Sequence, residues 1–300
     1  MRTIQPSTAV KVKNILYLTD FSPPSEAALP FVIALGRQYG AKVHALHILI
    51  PTPCPYTGPG LTAAALEAEE EDALAEMKLV GYRLDRLDYA TTIQRGMDVW
   101  EVVAQELQEE DIDLIIVGTR GRTGAEKFLL GSVAEEIFRR SPVPVLTIGP
   151  GVRSSFPTEN HFGRILFATD FSSESLTGAR YAVSFARGNR SHLDLLFVMP
   201  THEKLNQSDK MLFNGTVAEA VQRLHEIVPK EMKFEFSPEA FVEYGEPAER
   251  ILEAARQRGA DLIVLGIRHT EHVGAAIHLA GAIAHKVVAH APCAVLTVRS

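Results

Sequence analysis

This sequence predicts an α/β protein of two tandem domains, each a doubly wound sheet of five parallel strands. Three observations predict it. The chain has 300 residues, room for two domains of about 150 each. It repeats itself at a step of about 150 residues, against a usual domain of that size. Within each repeat, short apolar runs alternate with helical periodicity, a pattern that calls for right-handed βαβ crossovers and a parallel sheet.

The repeat is literal in places. Asn14-Ile15-Leu16-Tyr17-Leu18-Thr19-Asp20-Phe21-Ser22 returns as Arg164-Ile165-Leu166-Phe167-Ala168-Thr169-Asp170-Phe171-Ser172, and Val145-Leu146-Thr147 as Val295-Leu296-Thr297. Pro142 is matched by Pro292 and Gly131 by Gly281 at the same offset, while Asp113–Gly118 pairs with Asp261–Gly266 two residues out of step. Such matches in one order mark a duplicated domain. Between the copies, Gly149–Thr158 is rich in Gly, Pro and Ser, as linkers are. The organisation is therefore a first domain over 1–150, a linker over 151–162 and a second domain over 163–300.

In the first copy, strands are expected at 14–19, 42–49, 88–94, 113–118 and 143–148. Short apolar runs bounded by Gly, Pro or Asp suit buried parallel strands. Helices are expected at 24–40, 62–86, 98–110 and 131–140. The first follows Ser22, an N-cap residue, and Pro23, which fits a first helical position where its missing N–H costs nothing. His44 and His47 lie on the second strand and are assigned to its packing layer or end, and Trp100 to helix–sheet packing. Glu67–Asp72 reads as a solvated helix face. The second copy gives strands at 164–169, 192–198, 239–244, 261–266 and 293–298, with helices between.

The net charge of −7 offers no footprint for nucleic acid. No apolar run approaches the ~20 residues that span a bilayer, and Met1–Lys13 lacks the apolar core of a signal peptide. The two cysteines, Cys54 and Cys293, form neither a disulfide framework nor a zinc spacing. A cytoplasmic protein without nucleic-acid or membrane partners is expected.

In a doubly wound sheet, ligands bind beyond the carboxyl ends of the strands where the strand order reverses, so the loops after strands one and four matter. Asp20, after strand one, has two readings: a turn residue bonding its own loop, or a carboxylate accepting from a base or ribose. After strand four, Gly118, Gly121 and Gly124 allow close backbone approach to a ligand. Arg120, Arg122 and Lys127 make the segment positive within an acidic chain. Gly131-Ser132 then opens a helix whose unpaired amides and dipole favour an anion. The plainer reading is a loop and an ordinary helix with Ser132 as N-cap; three features converging on one place favour a polyphosphate cradle. No Gly-x-x-x-x-Gly-Lys-Ser/Thr occurs, and no Gly-x-Gly-x-x-Gly follows strand one.

Gly118-x2-Gly121-x9-Gly131-Ser132, with Thr19-Asp20-Phe21-Ser22 after strand one, resembles the ATP-binding class of the universal stress protein family, and nearly the whole chain resembles two fused family domains. The resemblance implies adenine-nucleotide α-hydrolase-like domains that pair through their last strands, here 143–148 against 293–298, as a pseudo-dimer within one chain. It implies that Asp20 and the backbone near Thr19 and Ile48 hold adenine and ribose. Gly118, Arg120, Gly121, Gly131, Ser132 and Val133 would wrap ribose and phosphates, with Arg122 adding charge. ATP, with or without Mg2+, is the implied ligand.

The second copy departs from this pattern. His269 stands at the second glycine position, the segment to Gly281 is two residues longer, and Ala282 replaces the serine. It is expected not to bind ATP in the family manner. Its histidines, His269, His272, His278, His285 and His290, show no metal-ligand spacing, and His278 and His285 would share a helical face only if a helix began well before Gly281, which is not expected. No catalytic residue is assignable by spacing. The expected function is an ATP-binding stress-response or regulatory protein whose nucleotide orders 118–131 and changes the surface offered to a protein partner, a second copy of the chain being compatible. The rivals are a slow ATP hydrolase and a scaffold that binds no nucleotide.

Overall fold

The computed structural model describes residues 10–50, 59–119, 130–150, 152, 162–199, 216–229, 231–267 and 277–299, with backbone alone at 59–63 and 277–281. The first half runs β1 (Asn14–Leu18), α1 (Pro23–Glu26), α2 (Leu29–Tyr39), β2 (Lys42–Leu49), α3 (Pro59–Leu84), β3 (Tyr89–Arg95), α4 (Val99–Glu109), β4 (Leu114–Gly118), α5 (Ser132–Arg140) and β5 (Val145–Ile148). The second runs β6 (Arg164–Thr169), α6 (Ser173–Asn189), β7 (His192–Met199), α7 (Val217–Ile227), β8 (Glu239–Tyr244), α8 (Pro247–Arg258), β9 (Leu262–Ile267), α9 (Ile277–His290) and β10 (Ala294–Arg299).

The strands form one sheet in the order β3-β2-β1-β4-β5-β10-β9-β6-β7-β8. Each half is parallel throughout, and the halves meet at an antiparallel pair in which Leu296 lies opposite Leu146. Thr147 and Thr297 reinforce that seam, each hydroxyl donating to a carbonyl of the opposite strand, at 3.1 and 3.3 Å. The pairing of last strands makes the two halves an intramolecular pseudo-dimer. Among the described residues no helix is long and apolar enough to cross a membrane.

Alternation along each strand divides its side chains between two faces. Ile15, Tyr17, Val43 and Ala45 pack with α2 on one face, in a core that continues through Phe162 and Phe185 of the second half. Leu16, Leu18 and Leu46 pack with α4 and α5 on the other, in a core that continues into α8 and α9. Because both cores cross the seam, the halves share their hydrophobic stabilisation.

Two helices differ from expectation. The helix predicted over 24–40 is broken after Glu26 and restarts at Leu29. Pro30 explains the break: it lacks an N–H, and its ring would meet the carbonyl of Glu26 four residues earlier. In the second half, α9 begins at Ile277, four residues before Gly281, so positions 278 and 285 lie two turns apart on one helix. The alanine-rich run 275–284 carries enough helix propensity to absorb an interior glycine.

One buried polar site differs between the halves at equivalent register. His44 on β2 and Asp194 on β7 lie opposite Leu16 and Leu166 respectively. Asp194, fully buried, bonds Arg164 and Arg258, each at 3.0 Å. His44 instead faces Glu110 at 3.5 Å, with its ring held toward the neutral form mainly by burial. The acidic partner sits on the strand in one half and just past the end of α4 in the other.

A cleft at the switch point of the first half

The order β2-β1-β4 reverses direction at β1, so a crevice opens beyond the ends of β1 and β4. Its first wall is the Thr19–Ser22 turn. Phe21 has φ 60° and its repeat partner Phe171 φ 63°, a left-handed conformation that costs a bulky residue roughly 1–2 kcal/mol. The same hydrogen bonds hold both. The Thr19 hydroxyl accepts from the Phe21 amide (3.0 Å), and Asp20 Oδ1 accepts from the Ser22 amide and hydroxyl (3.0 and 2.5 Å). In the second half, Thr169 accepts from Phe171 (2.9 Å) and Asp170 from Ser172 (2.9 and 2.5 Å). Ser22 then caps α1 and Pro23 opens it, as expected. Asp20 thus has its turn-building role, in common with Asp170, and it also lines the cleft.

The second wall is the start of α5. Gly131 is its N-cap, with extended backbone, and brings no side chain to cap the helix. Ser132, the cap only in the plainer reading of the sequence, is the first helical residue, so its hydroxyl is not spent on the cap. The Gly131 amide is tied to the Thr119 carbonyl at 2.7 Å. The amides of Ser132, Val133 and Ala134 have no intrahelical acceptor, as in any first turn, and these three residues line the cleft.

Between the walls lies a cavity of about 240 Å³. Thr19, Asp20, Ile48, Gly118, Gly131, Ser132 and Val133, seven of the expected site residues, all line it. Arg120, Gly121 and Arg122 lie outside the described residues, as do Gly124 and Lys127. Leu18, Leu46, Val99 and Val117 give the cleft an apolar floor, the usual construction of a small-molecule site.

Gly118 is a glycine for a different reason from the one expected. Its φ is not positive, and a Cβ there would lie 2.6 Å from the Pro24 carbonyl oxygen and 2.9 Å from Ser25 Cα. The first turn of α1 occupies the space a side chain would need. Gly266 is blocked in the same way by Glu174 and Ser175.

His47, expected in the packing layer or at the end of β2, also touches the cleft. The ring is buried, lines the cavity and packs against Phe21 with centroids 4.3 Å apart. Its Nδ1 lies 2.8 Å from the Thr19 carbonyl oxygen; a carbonyl only accepts, so Nδ1 carries the proton. The corresponding residue of β7 is Phe197, which packs on Phe171 at 4.8 Å. A comparison of the repeats at this position is the signal that could have drawn attention to it.

The model of the universal stress protein family matches residues 11–149 and again 161–299. Universal stress protein MJ0531 of Methanocaldococcus jannaschii is 31% identical over 140 residues, 45% of this chain and 81% of that protein. The universal stress protein E homolog of Haemophilus influenzae is 23% identical over 308 residues, covering 97% of this chain and 98% of its own. Among solved structures, a universal stress protein from Archaeoglobus fulgidus superposes with a TM-score of 0.71 at 22% identity, covering 95% of this chain and 98% of its own, a likeness of fold.

Proposed function

Because this chain belongs to the universal stress protein family, matched once in each half, we propose that its first half binds ATP in the cleft between Asp20 and Ser132 and that the protein acts in stress response through the conformation the nucleotide stabilises. The observation that carries this reading is the start of α5, where unpaired first-turn amides and the positive end of the helix dipole face a cavity with an apolar floor. The triphosphate takes those amides and the Ser132 hydroxyl, and the base lies on Leu18, Leu46 and Val117. Asp20 accepts from the ribose, and Arg120 and Arg122 supply charge, with Mg2+ as companion ion.

The second half serves as structural partner. In it Gly281 lies inside α9 instead of capping it, and Ala282 brings no hydroxyl. The repeated Asp-Phe-Ser turn persists there because it builds the fold.

A thermal-shift series with ATP, ADP, AMP and adenosine tests the reading. Nucleotide at a hundred times its Kd stabilises the folded state by ~2.7 kcal/mol, and the shift should fall as phosphates are removed. No shift with any nucleotide at millimolar concentration, magnesium present, would overturn it.

A further inference from the structure

We propose that Arg299, at the end of β10, is a positioning residue for the cleft of the first half: it grips the far end of α5 and so keeps the near end aimed at the ligand. The ligand named here rests on the nucleotide reading above; the grip itself does not.

The guanidinium crosses from one half to the other. Arg299 Nη2 donates to the carbonyl of Phe138 at 2.7 Å and to that of Arg139 at 2.5 Å. Those are two of the carbonyls that the last turn of a helix leaves without intrahelical partners, and a cation there also matches the negative end of the helix dipole. Burial, and after it the neighbouring Arg139, disfavours the charge on Arg299, and the two carbonyls offset that cost.

The helix it grips needs holding. α5 has nine residues and buries Ala134, Ile137 and Phe138; a helix this short is marginal without tertiary support. Fraying of its last turn leaves about a turn and a half to hold the first-turn amides in register with the cleft.

The other half supplies an internal control. Gly118 pairs with Ile148, and Gly266 with Val298, so Gly149 and Arg299 occupy the same place one residue further on. Gly149 also faces the end of the opposite half's helix: a Cβ on it would lie 3.9 Å from the Ala291 carbonyl oxygen, just past α9. Glycine has no side chain with which to grip. The clamp is thus present on the helix that opens onto the cleft, and its counterpart is missing from the helix that does not begin at the glycine–serine step.

The test uses the full chain carrying Arg299→Met, which keeps bulk but no donors, and Arg299→Lys. ATP and adenosine are titrated calorimetrically, and amide hydrogen exchange is followed in α5 and α9 without ligand. In Arg299→Met, α5 should exchange several-fold faster with α9 unchanged. ATP should bind roughly three- to tenfold more weakly, the scale of one ordinary net hydrogen bond, while adenosine, which has no phosphate to meet the helix, should bind as before. Arg299→Lys should restore part of both effects. A merely structural residue would weaken both ligands alike, and that result, or unchanged exchange in α5, would overturn the proposal. If the unaltered protein binds neither ligand, the nucleotide reading fails, and exchange in α5 against α9 still decides whether the clamp exists.

Discussion

Gly118→Ala separates a glycine kept for packing from one kept for ligand approach. The added Cβ would meet the Pro24 carbonyl oxygen at 2.6 Å, its carbon at 2.8 Å and Ser25 Cα at 2.9 Å. All three are backbone atoms, and ordinary contact begins near 3.4 Å, so α1 would have to retreat by roughly 0.8 Å, a strain of the overpacking kind. It is poorly placed to do so. The buried Tyr17 hydroxyl, whose pKa burial pushes up to about 12, donates to the Ser25 carbonyl at 2.9 Å, and the Ser25 and Thr19 hydroxyls are bonded at 3.1 Å. Overpacking against fixed backbone costs about 1–3 kcal/mol. That corresponds to a Tm lower by very roughly 2–12 °C at the scaling for domains of 150–250 residues. Urea unfolding followed by circular dichroism measures it, and Gly266→Ala, whose Cβ would meet Glu174 and Ser175 closer still, should lose more. If Gly118→Ala keeps its stability within about 0.5 kcal/mol and loses only ligand affinity, the packing explanation is wrong.

Other consequences follow from the same geometry. His47→Phe copies the residue found at Phe197, so the Thr19–Ser22 turn should still form; stability should change by no more than about 1–2 kcal/mol for the lost hydrogen bond, while ATP affinity measured by calorimetry falls several-fold. Asp194→Ala removes the buried carboxylate shared by Arg164 and Arg258, which are themselves partly exposed, while Arg258 keeps Glu239 at 2.8 Å; it should cost about 1.5–3 kcal/mol in urea unfolding. Glu106 is buried near Glu110 and Glu109, and burial first, then their repulsion, raises its pKa above the ordinary 4.5. The folded state therefore holds a proton that the unfolded chain releases, and this group's contribution to stability falls as pH rises through that raised value. Glu106→Gln should melt higher than the parent at pH 7, with the gain shrinking as pH falls toward 4.5.

The sheet was legible because buried parallel strands announce themselves as short apolar runs, and the repeat made each reading a check on its twin. β2, β6 and β8 begin and end at the expected residues, and the other strand boundaries lie within two residues. The seam between β5 and β10 came from the family resemblance and not from periodicity. What escaped the sequence depends on contacts. Pro30 sits in an otherwise helical stretch, so periodicity alone carried the helix through it. The glycine spacing of the first half suggested that a helix starts near Gly281, whereas alanine propensity carries α9 four residues further back. Gly118 reads the same on paper whether ligand or backbone fills the space beside it; only the position of Pro24 distinguishes the two. His47 looked like one more core residue because its partner, the Thr19 carbonyl, carries no side-chain signature.

The most direct measurement of the central claim is a calorimetric titration of ATP with Mg2+ into the full chain, read for stoichiometry as well as affinity. The difference between the starts of α5 and α9 predicts one nucleotide per chain, with binding abolished or greatly weakened when a side chain at position 131 (Gly131→Val) crowds the mouth of the cleft. Two equivalent sites per chain, or no heat of binding at millimolar ATP, would contradict it.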